Sequence, residues 1–415
     1  MNYIQFALYI IFIFSSLTVG AAVLVFLNPS RDGFLNRRIF IGEALLLGTS
    51  CFVGVFVLLS ILHLYNAWAL WGCVGASFLL LLNSKVKEAY VRIVFSPGRV
   101  NLWKLIWLGL ILFFIFRNFY FTFDVDSTTS YLDSQRLWLE RGGTLNFNKG
   151  DNFAVFWAQF DVVPCALGLS IFPQETLFSQ LIYIHWRLII FLLMFGYAAH
   201  RFNDIYGLAA TLLVLFNDHM YYSGVNQWVL INSAIVALLF AAVFNFWESV
   251  KSDSSTFRYP LFIFYSSQLL FNKYQIAYFL IFLVVMNFLL FKKTWPQLKA
   301  VFSNRWYFIF VMVGIIFMSL WLLKNYMVTK NPLFPIFAGS FQSFGWSLEQ
   351  QTVYQIGSGG VSPLLFIKYM GFLLVWPGIQ ATKHLAFLSF FFLSNNDCVS
   401  VGRCRLRLLA DSVIP

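Results

Sequence analysis

IQFALYIIFIFSSLTVGAAVLVFL, residues 4–27, carries no charged side chain. A helix needs roughly 20 largely apolar residues to cross a bilayer. A helix that is apolar all round is stable only in lipid or deep in a protein core. No basic stretch precedes the run, so it reads as a retained helix and not as a cleaved signal peptide. Working outward, comparable runs occupy 39–62, 66–84, 102–121, 177–198, 226–247, 273–291, 305–323 and 361–379, and two shorter ones lie at 204–218 and 258–271. The pattern predicts an all-α, polytopic transmembrane protein of about 11 spans.

Composition agrees. The chain is 60% hydrophobic, 20% aromatic and 11% charged, with a mean hydropathy of +0.75. Soluble chains carry roughly 25% charged residues, so an ordinary cytosolic enzyme is excluded. The formal charge of +11 is not a nucleic-acid footprint, because most Lys and Arg sit in short clusters between apolar runs. No nucleic-acid partner is expected, and membrane lipids are. Cys51, Cys73 and Cys165 lie in apolar stretches and no CxxC pair or metal spacing occurs. There is no internal repeat, no nucleotide-binding glycine loop and no HExxH.

The charges orient the chain. Arg31, Arg37 and Arg38 in the 28–38 loop, Lys85, Lys87, Arg92 and Arg99 in the 85–101 loop, and Lys292, Lys293, Lys299 and Arg305 in the 292–305 loop mark these as cytoplasmic. Eleven alternating spans satisfy all three if the N-terminus is outside. The same parity puts the 122–176 loop, the turn at Asp218, the turn near Asn272 and the 324–360 loop on the outer face. The expected organisation is N-terminal transmembrane helices over 1–101, a transmembrane core over 102–393 carrying outer loops 122–176 and 324–360, and a short basic tail, 394–415.

Residues 122–161 contain Asp124, Asp126, Asp133, Glu140, Asp151 and Asp161, six of the chain's seventeen acids. Within them, Ser127–Arg141 has helical spacing and ends at Gly142–Gly143, so a short amphipathic helix along the outer interface is expected. Residues 153–172, apolar but interrupted by Asp161 and Pro164, predict a second interfacial or re-entrant helix.

Asp124 and Asp126 emerge at the mouth of the 102–121 run. A carboxylate held there is partly desolvated, which suits a general base, and two of them could divide base and orienting roles or hold an oxygen-liganded ion such as Mg²⁺ or Mn²⁺. The bland reading is that they hydrate a helix end. Asp218 in Asn217-Asp218-His219 is either a site residue or a solvated turn. His185 and Arg187 fall inside an apolar run, where ionisable groups usually face a cavity or a partner; Arg187 is positioned to meet a phosphate or an acid, or to snorkel. Glu43 reads as structurally paired, with no partner evident from the sequence. Lys330, beside Asn331-Pro332, is a candidate contact for an anionic headgroup.

Asp126-Ser127-Thr128-Thr129-Ser130-Tyr131-Leu132 followed by Trp138-Leu139-Glu140-Arg141-Gly142-Gly143 resembles the first outer loop of bacterial GT-C fold glycosyltransferases of the lipid-linked-sugar type. Leu132 stands where many members carry His. Asn331-Pro332-Leu333-Phe334-Pro335 is similar to a segment of a later outer loop in some members, and the resemblance spans about 100–340. It implies an inverting, multispan transferase in the bacterial cytoplasmic (inner) membrane with an outward-facing active site. The donor would be a polyprenyl-phosphate-linked sugar, and the acceptor a glycan, lipid or protein. The catalytic base falls on Asp126, with Asp124 next; Tyr131, Arg187, Asp218 and Lys330 would contact substrate. A polyprenyl-linked oligosaccharide transporter or flippase, or a surface-polysaccharide polymerase or ligase, is the alternative.

Overall fold

The computed structural model describes residues 2–28, 37–95, 102–118, 132–145, 160–215, 233–251, 257–272 and 277–332. Every described element is helical: α1 (Asn2–Leu27), α2 (Arg37–Ile61), α3 (Ala67–Ser77, continued by a 3₁₀ turn Phe78–Leu82), α4 (Ser84–Phe95), α5 (Leu102–Asn118), α6 (Asp133–Glu140), α7 (Ala166–Leu169, led by a 3₁₀ turn Val163–Cys165), α8 (Leu177–Arg201), α9 (Asp204–Leu215), α10 (Ser233–Lys251), α11 (Arg258–Asn272), α12 (Ala277–Leu289), α13 (Phe291–Ser303) and α14 (Arg305–Thr329). The described parts of the first ten expected runs fall on helices; the run at 361–379 and the tail 394–415 lie outside the described residues.

By length and composition five helices can cross a membrane alone: Tyr3–Leu27, Phe40–Ile61, Leu177–Arg201, Ser233–Lys251 and Arg305–Thr329. A sixth crossing is added if α3 and α4 count as one span bent by 101°. The molecule is therefore a polytopic, all-α membrane protein with five to six long apolar helices among the described residues.

Asparagines start several of these helices. Asn66, Asn83, Asn203 and Asn304 each accept from backbone N–H groups of the next turn, at 3.0 Å from Ala69, 3.0 Å from Lys85, 2.9 Å from Ile205 and 2.9 Å from Trp306. Each satisfies a donor that the helix itself leaves orphaned. Two expectations change here. The basic segments read as loops are largely helices, α4 and α13, lying between apolar runs. And α14 continues to Thr329, so Lys324 belongs to a helix and not to the loop that follows.

α2 and α8 form the centre. α2 packs on α1, α8 and α14, and α8 packs on α2, α9 and α10. α1 and α2 approach through glycines: a Cβ on Gly20 would run into the Ala44 carbonyl, and one on Gly48 into that of Ser16. Small residues permit such backbone proximity, which substitutes in lipid for the missing hydrophobic drive.

Where α2 and α11 begin and α8 and α10 finish, the helices share a buried polar knot. Arg258 Nη1 donates to both Glu43 oxygens at 2.8 and 2.9 Å, and to Asn245 Oδ1 at 2.9 Å. Glu43 also accepts from Asn245 Nδ2 at 2.9 Å and Tyr197 Oη at 3.2 Å. The Arg258 guanidinium lies 4.7 Å from the Phe257 ring centroid, and Tyr197 stacks on Phe244 at 3.7 Å. Glu43 and Arg258 are both 2% exposed, so removing either strands a charge where water cannot reach it. Glu43→Ala is expected to cost about 3–5 kcal/mol in unfolding free energy. The double change Glu43→Met with Arg258→Met should recover most of that in the same detergent-solubilised melt. If the double variant melts no higher than the single one, the pair is not the stabilising unit described.

Candidate functional site

At the opposite end of the bundle, where α2 and α14 finish and α8 starts, α6 is stitched to its neighbours. Its helix closes with the Arg141 N–H donating to the Leu137 carbonyl at 3.1 Å. Gly142 then turns with φ +69°, a left-handed conformation that a side chain would strain. Its carbonyl accepts from the Tyr65 N–H at 3.0 Å. Gly143 lies so close to α2 that a Cβ would strike the Ser60 carbonyl. That same carbonyl accepts from the Thr144 N–H at 3.0 Å. The Gly-Gly pair is thus more than a helix stop: it lets α6 and the residues that follow it dock on the end of α2.

The buried face of α6 is Ser134, Gln135 and Trp138, while Leu137 and Leu139 are only half-buried. Tyr65 donates its hydroxyl to Gln135 Oε1 at 2.8 Å and sets its ring edge-on to Trp138 at 5.7 Å. Burial, helped by the neighbouring Cys165, holds the Tyr65 hydroxyl well above its ordinary pKa, so it remains a donor. Trp138 meets Trp321 of α14 at 5.8 Å. Beneath them, the fully buried Lys324 places Nζ 3.9 Å from the Trp321 ring centroid and 5.2 Å from that of Trp138. A cation over tryptophan faces is attracted by the ring quadrupole, more strongly when desolvated.

The α7 segment is also more buried than an interfacial helix would be. Val162, Val163, Cys165, Ala166 and Leu167 have no exposed surface. The segment is held through its carbonyls: Trp186 Nε1 donates to Asp161 O at 2.9 Å, and Trp71 Nε1 to Leu167 O at 3.1 Å. Gln5 of α1 fastens the start of α8, accepting from the Phe178 N–H at 2.9 Å and donating to Glu175 Oε2 at 2.8 Å. Inside α8, His185 Nε2 and Thr49 Oγ1 share a hydrogen bond of 2.8 Å, and the Tyr9, Phe12 and Trp186 rings surround the imidazole.

Of the residues singled out from the sequence, Asp124, Asp126, Tyr131 and Asp218 lie outside the described residues. Arg187 is 2% exposed and about 15 Å along α8 from its start, so it does not snorkel. Lys330 is exposed and ends α14 in a left-handed conformation, φ +60°, with Nζ 5.7 Å from the Tyr326 ring centroid. Arg187 and Lys330 thus occupy different helices and different environments. Lys324 is not singled out by the sequence, because the expected span 305–323 ends at Leu323. Its signal was available: Trp321-Leu322-Leu323-Lys324 is a lysine on an apolar helix. Among the described residues no group of three His, Cys, Asp or Glu side chains could hold a metal ion.

Compared with protein-family models, curated proteins and solved structures, the chain has no match. Fold and geometry define a membrane-embedded, largely helical protein with a firmly docked loop helix at one end of its bundle.

Two outcomes check this docking. Gly143→Leu should lower the melting temperature by forcing α6 off α2, whereas Leu139→Ala on the half-buried side should do so far less. Burial also pushes the Cys165 thiol up, and only the thiolate is nucleophilic. A maleimide should therefore modify Cys165 only after unfolding, as peptide mapping would show; ready labelling of the folded protein contradicts the burial described.

Proposed function

We propose that the protein is an inverting, GT-C type membrane glycosyltransferase, moving a sugar from a polyprenyl-phosphate donor to a glycan, lipid or protein acceptor on the outer face of a bacterial inner membrane. The observation that supports it best is the docking of α6. The segment bearing Asp124, Asp126 and Tyr131 runs directly into this helix, and α6 rests on a buried lysine at the rim of the bundle. Acyl-type covalent chemistry is not needed for such a transfer. It needs a base, an acceptor and a donor held in line.

In the proposed reaction, Asp126 takes the proton of the acceptor hydroxyl as its oxygen bonds to the anomeric carbon. The bond from that carbon to the phosphate oxygen breaks, and polyprenyl phosphate leaves with the electron pair. Cations stabilise the charge that gathers on the leaving phosphate, a role proposed for Arg187 and Lys330. Asp124 orients the acceptor, and Asp218 and Tyr131 line the acceptor or sugar. Should the two aspartates instead hold Mg²⁺ or Mn²⁺, transfer would stop on chelation and return with the ion. A direct base is indifferent to chelation.

Ionisable groups buried along α8, His185 and Arg187, favour a second reading as a transporter of the same polyprenyl-linked sugars. Detergent separates the two. A transferase turns over in a micelle, which has no two sides to transport between. Sugar transfer from a polyprenyl-phosphate donor by purified protein is expected, falling by about 10²–10⁴-fold in Asp126→Asn while Asp124→Asn is impaired less. Transfer by the Asp126→Asn variant at the native rate removes that residue as the base. Transport in vesicles without transfer in micelles would establish the second reading.

A further inference from the structure

α13 joins α12 to α14 and packs on the ends of α10 and α11, the end of the bundle that holds the Glu43–Arg258 pair. At 100° per residue its side chains sort into three bands. Thr294, Gln297 and Val301 are buried and face the bundle. About a quarter turn away, Phe291, Trp295, Leu298 and Phe302 fall within an arc of about 60°. Phe291, Trp295 and Phe302 there are 50%, 52% and 68% exposed. Lys292 and Lys299 lie on the side away from the bundle, and Lys293 points to the edge opposite the aromatic band. All three lysines are exposed. From Phe291 to Arg305 there is no acid.

A band of exposed aromatics on a charged helix would be a liability in water. It is the arrangement of a helix lying in the membrane interface, with its apolar band in the acyl boundary and lysines among headgroups. We propose that α13 is an anionic-lipid binding element: its aromatic band seats in the bilayer surface and Lys292, Lys293 and Lys299 collect acidic phospholipid headgroups around that end of the bundle. Two features favour lipid over a protein partner. Lys292 and Lys299 border an apolar band that follows the helix for its whole length, and the adjoining α14 also exposes Trp306, Phe308 and Ile309 beside it. Lysine charge without any acid complements a negative leaflet, where each basic residue attracts independently. The inference does not depend on transfer chemistry at the other end.

The test uses the full chain in nanodiscs of phosphatidylcholine mixed with phosphatidylglycerol. Quenching by a spin label on the acyl chain is compared between the wild type and Trp295→Tyr, so that the difference isolates Trp295. Labels near the headgroup should quench Trp295 more than labels at the chain end, and labelled phosphatidylglycerol should quench several-fold better than labelled phosphatidylcholine. Replacing the three lysines by Gln should abolish the lipid preference while leaving the depth profile. Since those lysines are exposed, the melting temperature of the triple variant should match the wild type. High salt should erase the preference in the wild type as well, which keeps the test valid if the triple variant fails to fold. Trp295 quenched by no lipid label, or quenched equally by both lipids, overturns the proposal.

Discussion

The Glu43–Arg258 pair exists because four helices converge on it. A carboxylate and a guanidinium taken out of water cost several kcal/mol each, and their attraction repays this only when the remaining donors and acceptors are also met. Tyr197 of α8 and Asn245 of α10 meet several of them here, while Arg258 Nε is buried without a hydrogen-bond partner. α2 carries the acid and α11 the arginine, so no two of these elements can dock correctly while the others are misplaced. This makes the knot a condition on the whole arrangement, and it sits at one end of α2, the helix whose other end receives α6 through Ser60.

α2 is consequently fixed at both ends and pressed along its length against α1 by Gly20 and Gly48. Its neighbours inherit that rigidity to different degrees. α8 is buried on nearly all sides, whereas α14 presents Phe308, Ile316 and Leu323 outward. A lipid-facing helix can hold a polar group only toward the protein, and Lys324 and Asn325 both point that way. The same division explains why α13 can expose aromatics: what is exposed in the isolated molecule is covered by lipid in a bilayer.

The helices were legible because a span must be long and apolar whatever it packs against. Pairings were not. Arg258 lies 215 residues from Glu43, and nothing local to either marks the other. The partners of α6 are hidden for a related reason: the space at the end of α2 and α14 is lined by Tyr65 and Lys324, which suits Gln135 and Trp138. Gly142–Gly143 was readable as a stop but not as a contact, because the carbonyl that forbids a side chain comes from α2. Hydropathy alone could not show that the basic segments 85–95 and 292–303 are helical, as α4 and α13.

Lysine, and not arginine, at position 324 has a physical rationale. Its ammonium is a compact point charge on a flexible stem, small enough to lie under two indoles whose rings are 5.8 Å apart. A guanidinium would spread its donors in a plane and require several acceptors at once. What Trp321 and Trp138 offer the Lys324 side chain is ring faces, with Nζ 3.9 and 5.2 Å from their centroids.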